Sequence, residues 1–277
     1  MSITVVSTFH KPVLELYGQR FVNSFSENID QDIKLRLYAE DCSPTTKDPR
    51  IQILDQKEKL PKLMAFKERW KNEPKANGKC PPEIKKRRPR DWHKEFKWDA
   101  IRFANKVYAV FDAAENCNTD WIVWMDADTI VHSKFSYKAF KNFLPDRAYL
   151  SYLGRGKKWP ECGFYGINLR NNIGLEFLKE FEHVYEHAEY GIFRMEEWHD
   201  SYVFDEILKK IKRKYPNEAF YNISGNLVNG EGHPLINSGL GAYLDHLKGD
   251  RKNIGKSNKP RDLIKPRNES YWTNSRM

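Results

Sequence analysis

Trp121-Ile122-Val123-Trp124-Met125-Asp126-Ala127-Asp128-Thr129 is a run of five apolar residues that ends in two carboxylates one residue apart. An uninterrupted apolar run of this length suits a strand buried on both faces. Along a strand, residues i and i+2 share a face, and the turn that follows lets both carboxylates approach one cation. Hard divalent ions such as Mg²⁺ and Mn²⁺ favour oxygen ligands and commonly hold substrate phosphates as well. Asp-x-Asp also occurs in ordinary solvated turns. The buried strand in front of this pair is what favours a metal.

The elements around the strand define the class. Ile3 to Ser7 is a short β-branched run that reads as a buried strand. Leu14, Tyr17, Phe21 and Phe25 recur at helical spacing over residues 12–28, and Ile33 to Tyr38 alternates as a strand does. Strand–helix–strand opens a parallel α/β sheet. Ligands of such sheets lie outside the carboxyl ends of the strands, here Thr8 to His10 and Glu40 to Asp41. Helical spacing returns over 95–116, through Phe96, Ala100, Phe103, Ala104, Val107, Phe111 and Ala114. A strand is expected near Cys162 to Leu169, with helices from Asn172 to about Tyr190 and from about Asp200 to Lys214. Residues 42–94 are rich in proline and charge. One helix, Gln56 to Trp70, is expected there, and the remainder as loop. The expectation is a single α/β domain, with an insertion at about 42–94 and a basic tail at about 249–277.

Length and charge narrow the partners. The 277 residues suffice for a substantial core, and 14% aromatics argue against a disordered chain. The net charge of +9 is uneven: residues 85–94 carry +5 and residues 248–267 carry +6, leaving the rest at −2. A histone-like coat is excluded, while a polyanion held at two places is not. Cys42, Cys80, Cys117 and Cys162 are far apart, which argues against a zinc ribbon or a disulfide framework. Reduced thiols, no signal-like N-terminus and no long apolar segment lead to the expectation of a cytoplasmic protein without a transmembrane segment.

The apolar strand ending in Asp126 and Asp128 resembles the signature of the GT-A fold glycosyltransferases. A second stretch, Leu244-Asp245-His246-Leu247-Lys248-Gly249-Asp250-Arg251-Lys252, resembles the His-x-x-Gly-x-x-Lys element of their glycogenin-like and lipooligosaccharide galactosyltransferase-like branch. The resemblance implies a GT-A-like (Rossmann-like) domain with a mostly parallel central sheet flanked by helices. It implies a metal held by Asp126, Asp128 and His246, a mixed set that suits Mn²⁺ (or Mg²⁺). It also places Gly249 and Lys252 against the diphosphate of a UDP-sugar. Glu161-Cys162-Gly163 to Asn168 resembles the branch's Asn-x-Gly strand, with Cys162 before the glycine in place of asparagine. Trp198-His199-Asp200 resembles its acidic motif at a helix start, where Asp200 is also a fitting helix cap.

The implied reaction moves a sugar from a nucleotide diphosphate to a hydroxyl. Arg102 and Lys106, one helical turn apart, are candidates to reach the nucleotide, or else a solvated helix face. Thr8 and Glu40 or Asp41 are candidates for the nucleobase and ribose. The His-x-x-Gly-x-x-Lys resemblance favours a retaining enzyme, which needs no strong general base, and leaves inversion open; an inverting enzyme would use Asp200, with Glu161 in reserve. Two acceptors compete. A glycan would place Trp159, Phe164, Tyr165 and Trp198 near the sugar, although core packing accounts for most of them. A hydroxymethylated DNA base would place both basic segments along the cleft, with Trp92 and His93 able to stack on a base. The alternative is a nucleotidyltransferase or a non-catalytic basic nucleic-acid-binding module.

Overall fold

The computed structural model describes residues 1–87, 90, 93–225, 232–257, 259–264 and 266–274. The strands are β1 (Ile3–His10), β2 (Ile33–Glu40), β3 (Ile51–Asp55), β4 (Trp121–Met125), β5 (Thr129–Val131), β6 (Leu150–Arg155), β7 (Lys158–Asn168), β8 (Phe220–Asn222) and β9 (Leu244–His246). Seven form one sheet in the order β3-β2-β1-β4-β7-β6-β8, and β5 pairs with β9 in a separate ladder. Strands β3, β2, β1 and β4 are mutually parallel, β7 runs against both β4 and β6, and β8 is parallel to β6. This is the mostly parallel, helix-flanked α/β sheet of a GT-A-like domain.

Period-two alternation divides the sheet's side chains between two cores. Ile122 and Trp124 of β4 face one core with Val6. There they meet Val107 and Phe111 of the 100–116 helix, Phe177 and Phe181 of the 172–186 helix, and Phe204 and Ile207 of the 200–214 helix. Trp121, Val123 and Met125 face the other core, with Val5, Phe9, and Phe21 and Phe25 of the 19–28 helix. Coverage on both faces is why β4 reads as an unbroken apolar run.

Several local expectations are corrected. The 56–70 helix is two helices, Gln56–Lys59 and Pro61–Trp70. Pro61 has no N–H to continue a helix and bars Leu60 from helical angles; Leu60 has φ −116° and ψ 64°. Residues 51–55, expected as loop, are β3, which joins the sheet beside β2. Leu63, Phe66 and Trp70 in the same region are buried in the core. The helix expected over 12–28 opens with a 3₁₀ turn at Lys11–Val13 and a π turn at Leu14–Gly18, and becomes regular only at Gln19–Asn28. The tail also packs: Trp272 Nε1 donates to the Gly241 carbonyl at 2.7 Å, and Tyr271 stacks on His132 at 3.9 Å between centroids.

Candidate active site

Strands β1 and β4 are parallel neighbours, and a cleft of about 1320 Å³ opens at their carboxyl ends. The Asp126 N–H donates to the Gly163 carbonyl of β7 at 2.9 Å, and the Thr129 N–H donates to the Asp126 carbonyl at 3.1 Å. These bonds close the turn that carries both carboxylates. The chain then enters β5, whose Thr129 lies opposite His246 of β9. The Leu247 N–H donates to the Asp128 carbonyl at 2.9 Å. The small ladder therefore ties His246 to the acidic turn through backbone bonds.

His246 Nε2 lies 2.9 Å from Asp128 Oδ1 and 3.4 Å from Asp126 Oδ2. One ligand atom from each of the three residues falls within 4.8 Å of the others. Two carboxylates and an imidazole at that separation fit a divalent cation. Electrostatics shows the same complementarity. Burial opposes charge on His246, but Asp128 and Glu161 outweigh it and raise the imidazole from 6.5 to about 10. Burial likewise opposes charge on Asp128, yet His246 and Lys252 hold it below the usual carboxylate range. Lys252 Nζ is 2.9 Å from Asp128 Oδ2 and lies over the Tyr17 ring. Tyr17 comes from the π turn, and its phenol is raised by burial and by Asp128 and Asp126.

Lys106 lines the cleft but is buried and ion-paired rather than part of a solvated helix face. Its Nζ lies 2.9 Å from Asp126 Oδ1 and 2.6 Å from Asp200 Oδ2, and it also donates to the Cys162 carbonyl. Burial works against the ammonium, but Asp126 and Asp200 hold it charged well above its ordinary range. Asp200 is the first residue of its helix rather than the cap. His199 is the cap, accepting from the Tyr202 N–H, while Asp200 Oδ1 accepts from the Ser201 N–H at 2.8 Å. Glu161, 4% exposed, accepts from the Gly163 N–H at 2.9 Å and pairs with Lys248 at 2.7 Å.

Thr8, Glu40 and Arg102 line the cleft. Thr8 Oγ1 donates to the Tyr38 carbonyl at 2.7 Å, and Glu40 pairs with Lys67 at 2.5 Å. Asp41 and Gly249 are not among the lining residues. Asp41 pairs with exposed Lys57 at 2.6 Å. Gly249 has φ +61°, a left-handed angle that glycine adopts without strain. Of the four aromatics expected near a sugar, Trp159 lines the cleft, whereas Phe164, Tyr165 and Trp198 are buried in the cores. Lys94, Lys158 and Lys248 also line it. Sequence reasoning missed Lys248, Tyr17 and the buried role of Lys106. Lys248 sits inside the His246–Lys252 motif and was the one within reach of a motif-based reading.

No protein-family model matches the chain, and no curated protein matches it. Solved structures do. Mouse xyloside xylosyltransferase 1, apo form, is 11% identical over 81% of this chain and 86% of its own, with a TM-score of 0.42. GlyE of Streptococcus pneumoniae TIGR4 is 13% identical over 76% of this chain and 44% of its own, with a TM-score of 0.41. The bifunctional glycosyltransferase WbbM is 12% identical over 85% of this chain and 39% of its own, with a TM-score of 0.42. These similar structures are glycosyltransferases. At such identities and TM-scores, none of them bears on what this chain binds. Among the described residues, no helix is long and apolar enough to cross a membrane.

Proposed function

We propose that this chain is a metal-dependent glycosyltransferase that moves a hexosyl or pentosyl group from a UDP-sugar to an acceptor hydroxyl. The observation that carries this reading is the meeting of Asp126, Asp128 and His246 at the edge of a cleft that also holds Lys252. The cleft exceeds the ~300–1,000 Å³ of an ordinary small-ligand pocket, which supports two substrates side by side.

Asp126, Asp128 and His246 would hold Mn²⁺ (or Mg²⁺), which would supply Lewis-acid neutralisation of the departing diphosphate. Lys252 adds a fixed positive charge for the same leaving group, and Gly249 shapes the turn that leads to it. Thr8, Glu40 and Arg102 are available to the nucleotide. Lys106 serves by holding Asp126 in place rather than by touching the donor. Asp41, outside the cleft, is left with no assigned part. Asp200, paired with Lys106, and Glu161, paired with Lys248 through Oε1, both line the cleft and are the carboxylates to act as a base if transfer inverts configuration. The His246–Lys252 motif favours transfer with retention, which needs no strong base.

The acceptor we favour is a hydroxymethylated base in DNA, with the protein in the cytoplasm. Lys94 of the first basic segment and Lys248 and Lys252 of the second line the same cleft, as a polyanionic acceptor requires. Trp92, the candidate stacking residue, lies outside the described residues. The test is sugar incorporation from a panel of UDP-sugars into hydroxymethylated DNA with Mn²⁺. Label in DNA that is lost with EDTA supports the reading. Label only in glycan acceptors replaces the acceptor and keeps the reaction. A thermal shift that does not respond to UDP with Mn²⁺ returns the chain to the nucleotidyltransferase or binding-module alternative.

A further inference from the structure

We propose that Glu161, His233 and His246 form a second metal site, one that takes Zn²⁺ in preference to Mn²⁺ or Mg²⁺ and competes with the Asp126–Asp128 site for His246. The three side chains are 4%, 7% and 1% exposed. Four of their polar atoms are buried without a hydrogen-bond partner: Glu161 Oε2, both ring nitrogens of His233, and His246 Nδ1. Folded proteins rarely leave such atoms unsatisfied, and here they gather in one place.

The spacing suits coordination rather than hydrogen bonding. His233 Nδ1 is 3.8 Å from Glu161 Oε2, and His246 Nδ1 is 3.5 Å from Glu161 Oε1. The two rings stand 5.0 Å apart at 67°, and one ligand atom from each of the three residues lies within 4.8 Å of the others. Ligands at ~2.0–2.2 Å from a tetrahedral Zn²⁺ lie ~3.3 Å from one another, so a small contraction closes the site. Two imidazoles and one carboxylate with an open fourth position are a zinc donor set, whereas Mg²⁺ and Mn²⁺ favour oxygen.

The surroundings are built to match. A Cβ on Gly163 would fall 2.5 Å from His246 Nδ1 and 2.8 Å from Glu161 Oε1, so only glycine leaves the cradle open. The His233 N–H donates to the Asp262 carbonyl at 3.0 Å, which fixes its backbone. His233 also lines a second cavity of about 560 Å³ beside Lys248 and Arg155, which gives an ion a way in. Lys248, half exposed, neutralises Glu161 through Oε1, leaves Oε2 free, and can turn to solvent when an ion arrives.

His246 couples the two sites. Its Nε2 faces Asp126 and Asp128, and its Nδ1 faces Glu161. A neutral imidazole carries one proton, so the nitrogen offered to one ion leaves an N–H facing the other site. Zn²⁺ on Nδ1 turns Nε2 into a donor toward Asp128 and withdraws it from the first site.

The experiment titrates the whole chain with Zn²⁺ and Co²⁺, following Co²⁺ by the visible absorption of its four-coordinate form and Mn²⁺ by electron paramagnetic resonance. Asp128→Asn is expected to lose Mn²⁺ and to keep one Zn²⁺. His233→Gln is expected to keep Mn²⁺ and to lose at least about tenfold in Zn²⁺ affinity, together with the Co²⁺ band. Should His233→Gln fail to fold, Glu161→Gln takes its place. Wild-type Zn²⁺ affinity in a folded His233→Gln or Glu161→Gln protein overturns the proposal. These readouts involve no sugar transfer, so they stand or fall separately from the proposed activity.

Discussion

Lys106 holds a buried charge in the wall of the cleft, pinned between Asp126 and Asp200. Removing one partner of a buried ionic cluster strands the others. Lys106→Met is therefore expected to destabilise the fold by about 3–5 kcal/mol in urea denaturation, well beyond an exposed lysine. His246 sets the pH behaviour. Its imidazole is raised from 6.5 to about 10, so the metal-free fold binds a proton that the unfolded chain lacks in that interval. The stabilisation is complete below about pH 6.5 and is lost as pH rises toward about 10. The melting temperature of metal-free protein should fall across that window, and His246→Gln should flatten the fall. Mn²⁺ displaces the same proton, so its affinity, measured by calorimetry, should rise over the same range. Lys252→Ala should weaken UDP binding roughly tenfold, the scale of one charge-assisted hydrogen bond.

At the scale of elements, the β5–β9 ladder and β7 hold the site, and Gly163 is where they touch. Gly163→Ala puts a methyl 2.5 Å from the His246 ring and should abolish Mn²⁺ binding while the circular dichroism spectrum is kept. The elements legible in the sequence were those with strong local patterns: β1, β2, β4, the C-terminal part of β7, and the 100–116, 172–186 and 200–214 helices. Strands β5, β8 and β9 have three residues each, too few for a period to show, and β3, as short as β4, lacks its unbroken apolar run because Gln52 and Asp55 interrupt it. Strand β6 passed unread, and the break at Leu60 was hidden because the apolar spacing runs through Pro61. At the site, Asp126, Asp128 and His246 were legible because a motif carries them. The burial of Lys106, and the approach of His233 to Glu161 across 72 residues of chain, depend on tertiary packing that no local pattern encodes.

The whole molecule distributes charge more purposefully than its total suggests. Both basic segments contribute residues to one cleft, so the proposed DNA acceptor predicts gel-shift binding that falls steeply with salt. Lys94→Glu should weaken binding across all sequences and lower the salt slope by about 1. A slope unchanged in Lys94→Glu would separate the first segment from the acceptor.

The place of β1 has a temporal consequence. It is an interior strand of the sheet, with β2 on one side and β4 on the other, where Ile3 pairs with Trp121. A ribosome adding ~5–20 residues per second needs roughly 6–24 s to go from the first of those residues to the second. Throughout that interval β1 and β2 can pair while the other edge of β1, with Val5 and Val6, waits for its neighbour. Exposed edges of this kind invite pairing with other chains. Soluble yield is therefore expected to fall when synthesis between β2 and β4 is slowed, a dependence that slow-codon variants of that stretch would measure.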